Sequence, residues 1–199
     1  MPRDERAVYL TFDDGPIPEA TPWVLSVLRS YGIKATFFMV GDNVDKHPDV
    51  FRQVIADGHR IGNHTHNHVG GFRFPSDVYL ENARLAHHTM EAHLQALHGL
   101  GSSAQRLDLF RPPHGWMRPM QYKVIHRGRY RIIMWDVVTR DYSTWLNAEE
   151  VFGIVRRYTR PGSIITFHDS LRSIDKLHSI LPSALEWLLA EGYGFRVFD

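Results

Sequence analysis

Two carboxylates stand side by side in LTFDDGP, residues 10–16. Asp13 and Asp14 close an apolar run, and a Gly-Pro turn follows at once. Asp, Gly and Pro are ordinary turn formers, so the pair also fits a plain strand end. Adjacent aspartates nevertheless suit divided labour: a cation ligand has to be ionised, whereas a general base has to be free to take a proton from water. A second cluster, NHTHNH at 63–68, carries His64, His66 and His68. On a helix His64 and His68 would share a face; in an extended segment all three would. Spacing alone leaves the pair open. Two histidines and one carboxylate suit a divalent metal with open positions for water and substrate.

Three further clusters carry chemistry. In FRPPHG, 110–115, Arg111 precedes two prolines and a glycine. Such a turn is rigid and can aim a backbone N–H at a developing oxyanion, although a Pro-rich connection reads the same way. His168 ends the apolar run of SIITFHD, 163–169, and Asp169 beside it reads as a turn former or helix cap. Asp136 and Asp141 in WDVVTRDY, 135–142, could each orient a histidine by accepting its N–H, which raises the histidine pKa. Trp116, Tyr142 and Trp145 lie in or beside these loops and suit sugar rings. Trp135 is expected in the core.

The elements that must position these clusters alternate. AVYLTF (7–12) reads as a buried strand. TPWVLSVLRSYG (21–32) reads as a helix with Thr21 as N-cap, Pro22 at the first position and Gly32 as stop. Strands follow at ATFFMV, HRIGNH, LDLF, YRIIMWDV, SIITFHD and FRVF. Helices follow at HPDVFRQVIADG, at 76–99 behind Ser76 as cap, at RPMQYKVIHRG, at 147–162 with an Asn147/Glu150 capping box, and at PSALEWLLAEG. Seven strands and six helices in alternation predict an α/β fold with a mostly parallel sheet, either a (β/α) barrel or an open doubly wound sheet. No glycine-rich phosphate fingerprint follows the first strand, which weighs against a dinucleotide site. In parallel α/β folds the carboxyl ends of the strands share one face. Each of the five clusters follows a strand, so all five are expected to converge.

Composition narrows the class. The chain has 199 residues, 43% of them hydrophobic, enough for one globular domain spanning 1–199. GLGSSAQR (99–106) is the most linker-like stretch and is too short to divide it. With 23 Lys and Arg against 22 Asp and Glu, the net charge of +1 offers no basis for nucleic-acid or membrane-surface binding. No apolar run approaches the roughly 20 residues of a membrane span. Cysteine is absent, which excludes disulfides and thiolate ligands. The start, MPRDERAVYL, does not read as a signal peptide.

Taken in order, the clusters resemble those of the polysaccharide deacetylases, the NodB-homology domain of carbohydrate esterase family 4. TFDDGP and HTHNH match the first two motifs of that family, and the resemblance runs from about residue 7 to residue 198. It implies a distorted (β/α) barrel of about seven parallel strands. It implies Asp14, His64 and His68 as ligands of a divalent metal, usually zinc, with cobalt or nickel possible, and leaves His66 a loop residue with Thr65 bracing the metal loop. It implies Asp13 as general base, Arg111 as its partner, the His114 backbone N–H as oxyanion donor, and His168 as general acid paired with Asp141. Trp116, Tyr142 and Thr166 would touch substrate. The implied partner is an acetylated carbohydrate polymer or oligomer, and the implied location is the cell envelope or outside the cell.

Three positions depart from the pattern. His114 replaces a tyrosine, Val138 stands where an aspartate is common, and Thr166 replaces a leucine that lines the acetyl pocket. The expected reaction is deacetylation of an N-acetylglucosamine-type or N-acetylmuramic acid unit in a peptidoglycan or chitin-like chain. An O-acetyl esterase acting on acetylated xylan is a rival within the class. A catalytically silent carbohydrate-binding protein and a metal amidase acting on small amides are rivals outside it.

Overall fold

A computed structural model describes residues 5–98 and 105–199. The linker-like reading of 99–106 therefore falls largely outside the described residues. The strands are β1 (Ala7–Asp13), β2 (Thr36–Met39), β3 (Arg60–Asn63), β4 (Leu109–Phe110), β5 (Arg131–Ile132), β6 (Val137–Val138), β7 (Ile164–His168) and β8 (Gly194–Arg196). They form one sheet in the order β5-β4-β3-β2-β1-β7-β6, with β8 also paired to β1. All the pairs are parallel. The helices are α1 (Thr21–Ser30), α2 (Gly41–Lys46), α3 (Pro48–Ala56), α4 (Ser76–His98), α5 (Pro119–Arg127), α6 (Ala148–Tyr158) and α7 (Ile174–Ala190). Of the two expected architectures, the barrel-like one is present, as a curled half-barrel.

The curl follows from chain length. β5 and β6 are the two edge strands, yet only residues 133–136 separate them. Seven strands laid flat would put those edges about 29 Å apart at the usual strand spacing of ~4.8 Å. Five steps of extended chain reach at most about 18 Å. The sheet has to bend until its edges face one another across a narrow seam, and the 133–136 segment crosses it. The expectation of one continuous strand at YRIIMWDV is therefore corrected: an apolar run that reads as a single strand is split between opposite edges.

Two helix starts differ from expectation, and α2 is a helix outside the expected set. Thr21 is not the cap of α1; Ala20 holds that position, and the Thr21 hydroxyl instead accepts from the Ile17 N–H and donates to Asp169. The last helix begins at Ile174 and keeps Pro182 in its interior rather than starting there. The short helix α2 has too few apolar positions to show a period. The Asn147/Glu150 capping box of α6 is present, with reciprocal bonds of 2.9 and 2.8 Å. The main core lies between the sheet and its helices, with Phe12 stacked on Phe37 at 5.0 Å and on Phe167 at 6.0 Å. These buried rings hold the centre of the sheet, whose carboxyl ends carry the clusters.

Candidate active site

Register sets the first pairing. Asp13 lies opposite His168 in the parallel β1–β7 pair, so both side chains leave the sheet on one face. Beneath them Thr11 Oγ1 and Thr166 Oγ1 lie 3.0 Å apart, and Thr139 Oγ1 bonds the Thr166 carbonyl. Thr166 is buried at the floor of the cleft that the five clusters form.

Asp13 is 3% exposed, and its Oδ1 accepts from Arg111 Nη1 at 2.6 Å. Arg111 is completely buried. Its remaining donors reach Thr11 Oγ1 at 2.9 Å and, across the seam, the carbonyls of Ile133 at 3.1 Å and Met134 at 3.0 Å. Burial pushes the Asp13 carboxyl above the usual carboxylate range, while Arg111 and then His168 pull it back. The result is a carboxylate with raised basicity that a guanidinium still keeps oriented.

Asp14 points elsewhere because its backbone turns. Its φ of 84° lies in the left-handed region, and Asn43 Nδ2 holds its carbonyl at 2.8 Å. Thr65, His68 and His114 also have positive φ, so four of the six such non-glycine residues among those described border this site. Asp14 Oδ1 lies 3.2 Å from His68 Nε2 and 3.7 Å from His64 Nε2. His64 Nδ1 sits 2.8 Å from the Arg111 carbonyl, which only accepts, so Nδ1 carries the proton and the Nε2 lone pair is free. Burial, then the neighbouring His68, holds His64 well below its ordinary pKa and keeps it neutral.

Asp14, His64 and His68 bring one ligand atom each within 4.8 Å of one another. Asp14 Oδ1 is buried without a hydrogen-bond partner, as an oxygen facing a cation would be. Two imidazole nitrogens and a carboxylate oxygen are a donor set for a divalent transition metal. These residues fit such an ion. His66 is turned away, with Nε2 4.0 Å from Asp45. Thr65 Oγ1 accepts from the Val69 N–H at 3.1 Å and ties the loop that carries both histidines.

On the far wall, His168 Nδ1 meets Asp141 Oδ1 at 2.8 Å, and the His168 N–H donates to Asp141 Oδ2 at 2.8 Å. Burial pulls the imidazole down, but Asp141, followed by Asp13 and Asp14, pushes it up to about 9. Asp136, the other candidate partner, accepts from the Ile164 N–H instead. The turn Pro113–Gly115 presents the His114 N–H, for which no carbonyl partner exists among the described residues. Its ring meets that of His68 edge-on at 4.7 Å. A β-carbon on Gly115, at φ 75°, would lie 2.5 Å from Trp135. Trp135 is thus a wall of the cleft rather than the core residue expected. Tyr142 packs edge-on against His168 at 4.7 Å, whereas Trp116 stands outside the cleft wall against Phe72 at 6.3 Å. Val138 lines the cleft beside Tyr142.

Sequence reasoning underrated Asp169. It is fully buried, accepts from the Gly15 N–H at 3.1 Å and the Thr21 hydroxyl at 2.6 Å, and is pushed up to about 8 by burial. A β-carbon on Gly15 would lie 2.0 Å from its Oδ2. The glycine of DDGP is there because this carboxyl occupies the space beside it. The available signal was the adjacency of Asp169 to His168 on the strand next to β1. Arg172 also lines the cleft and carried no such signal.

The polysaccharide deacetylase family model matches residues 1–130, the span that holds Asp13, Asp14, His64, His68 and Arg111. A peptidoglycan-N-acetylglucosamine deacetylase of Bacillus cereus is 33% identical over 197 residues, covering 98% of this chain and 87% of the relative. A chitooligosaccharide deacetylase of Azorhizobium caulinodans is 32% identical over 167 residues, covering 84% and 75%. Among solved structures, a mutant of a CE4 family pseudoenzyme of Bacillus anthracis, with restored enzymatic activity, superposes with a TM-score of 0.83 at 25% identity, over 97% of this chain and 66% of that one. On the family match and the extent of these alignments, the chain belongs to the polysaccharide deacetylase family.

Proposed function

We propose that this protein hydrolyses the acetyl group from an N-acetylglucosamine-type sugar in a polysaccharide such as peptidoglycan or a chitin-like oligomer, with a divalent metal, zinc foremost. The observation that carries the reading is the division of the adjacent aspartates, Asp13 toward Arg111 and Asp14 toward His64 and His68, opposite a His168–Asp141 pair. The cleft encloses about 250 Å³. That is less than the roughly 300–1,000 Å³ of pockets that enclose a whole ligand, so it suits an acetyl group and one sugar of a chain lying across the surface.

A divalent cation on Asp14, His64 and His68 would supply Lewis-acid polarisation of the acetyl carbonyl and acidify water. Asp13, raised by burial and steadied by Arg111, takes the proton of the attacking water. The His114 N–H donates to the carbonyl oxygen as it gains charge. His168, protonated at neutral pH, gives its proton to the departing sugar nitrogen while Asp141 holds the imidazolium. Acetate and the free amine are the products.

The relatives named for N-acetylated substrates favour the amide over the ester reading. A silent binding protein has the same fold available, since a pseudoenzyme superposes on it. Against silence stands the complete set of base, ligands and acid within one cleft. An acetate-release screen over chitin oligomers, peptidoglycan and acetylated xylan, with metal measured on the same sample, tests the reading. Release from the first two at one metal per chain is expected. Binding of glycan without acetate release by the loaded protein refutes it.

A further inference from the structure

The acids that face the cleft are committed. Asp13 holds Arg111 at 2.6 Å, Asp14 faces His68 and His64 at 3.2 and 3.7 Å, and Asp141 behind the wall holds His168 at 2.8 Å. One cation of the wall is not. Arg172, on the loop between β7 and α7, lines the cleft with Tyr142, His168 and Ser170 and is exposed. Among the described residues it has no hydrogen-bond or ion-pair partner. The acids of its own loop leave it unpaired: Asp169 is buried against Thr21 and Gly15, and Asp175, in the first turn of α7, makes no ion pair with it.

A guanidinium is always charged at working pH, and its planar fork matches an oxyanion with two parallel hydrogen bonds. Arg172 lines the same cleft as His168 and Tyr142, so a sugar next to the reacting one would come within reach of it. An anion on that neighbour would find Arg172 free to receive it. A carboxylate one sugar step away, carried by a lactyl ether or a uronic acid, would be such an anion. We propose that Arg172 is a specificity-determining residue that selects acetylated amino-sugar chains bearing a carboxylate beside the sugar to be deacetylated. The inference rests on the deacetylase reading of the same cleft and names its substrate class.

Three glycans test it on the metal-loaded protein: a neutral chitin oligomer, a peptide-free peptidoglycan glycan with lactyl carboxylates, and the same glycan with those carboxylates amidated. The unmodified protein should prefer the carboxylated glycan, and the preference should shrink as salt rises. R172Q should lower kcat/KM on the carboxylated glycan on the order of tenfold more than on the neutral one, the size of one charge-assisted hydrogen bond. R172K should keep part of the preference. Amidating the glycan should cost the unmodified protein what R172Q costs on the native glycan. Equal losses on carboxylated and neutral glycans, or indifference to amidation, overturn the proposal. Calorimetric affinities for the same glycans read Arg172 without turnover. Absence of acetate release would therefore remove the deacetylase reading, while the affinities still decide whether Arg172 recognises the carboxylate.

Discussion

Substituting Arg111 and Asp13 singly and together measures how far the site is built into the fold. Arg111 is fully buried and makes four hydrogen bonds, to Asp13 at 2.6 Å, Thr11 at 2.9 Å, Met134 at 3.0 Å and Ile133 at 3.1 Å. Arg111→Met leaves a buried carboxylate and the buried Ile133 carbonyl without this donor, and the part-buried Met134 carbonyl as well. Breaking a buried ion pair from one side costs about 3–5 kcal/mol. Asp13→Asn also breaks the pair from one side, but asparagine keeps an amide oxygen for Arg111 and the guanidinium keeps its three neutral acceptors, so the loss is nearer that of one charged bond, about 1.5–3 kcal/mol. Separate effects would total roughly 5–8 kcal/mol, comparable with the whole stability of a typical domain. The double variant removes the stranded charge, so it should cost about 2 kcal/mol less than that total. Equilibrium urea unfolding at pH 7 in chelator, without bound metal, reads all four corners of the cycle. Arg111→Lys gives a milder first step where the methionine variant does not fold. Additivity within about 0.5 kcal/mol would refute the claim that this pair is one energetic unit.

Two further outcomes follow from the geometry. Metal binding, measured by calorimetry and by elemental analysis, should survive Asp13→Asn and His66→Ala and be lost in His68→Ala. Turnover in Asp13→Asn should fall by about 10²–10⁴, and loss of metal in that variant would mean that the two aspartates are reversed. His59 is 1% exposed, accepts from the Ala35 N–H at 3.1 Å through Nδ1, and is pulled down to about 4 by burial and then Lys34. Because its folded pKa lies below the ordinary 6.5, the unfolded chain binds the extra proton first as pH falls. Its contribution is whole above pH 6.5 and declines toward pH 4, by about 3 kcal/mol in all. His59→Gln, which keeps an acceptor for Ala35, should flatten that slope in urea unfolding at pH 7 and 4.5; an unchanged slope places the acid sensitivity elsewhere.

The convergence of five clusters was legible because a parallel sheet sends every strand end to one face, so position along the chain already implied proximity. Which two of His64, His66 and His68 come together beside Asp14 was not, because it depends on the positive φ of Thr65 and His68, which turn the loop out of any regular period. YRIIMWDV misled for a related reason. Hydrophobic runs report burial, and both halves of this one lie in the sheet, but the bend between them arises from closing the whole sheet. Thr21 reads locally as a cap, yet its hydroxyl bonds a carboxyl 148 residues away. Asp169 was misjudged likewise, since its importance comes from the strand beside it. Local chemistry was readable in this chain; long-range hydrogen bonding that overrides it was not.

The seam between β5 and β6 has one more consequence. The guanidinium that steadies Asp13 also grips the two carbonyls that cross that seam. A sheet with two free edges would breathe at those edges first, and a catalytic group is ordinarily insulated from such breathing by distance. Here a single residue belongs to both. Fraying of the 133–136 crossing would take away two of the four hydrogen bonds that fix the guanidinium, so edge opening and the orientation of the carboxylate proposed as base would be linked. Slow amide exchange across the crossing would then serve as a gauge of how long the site stays armed.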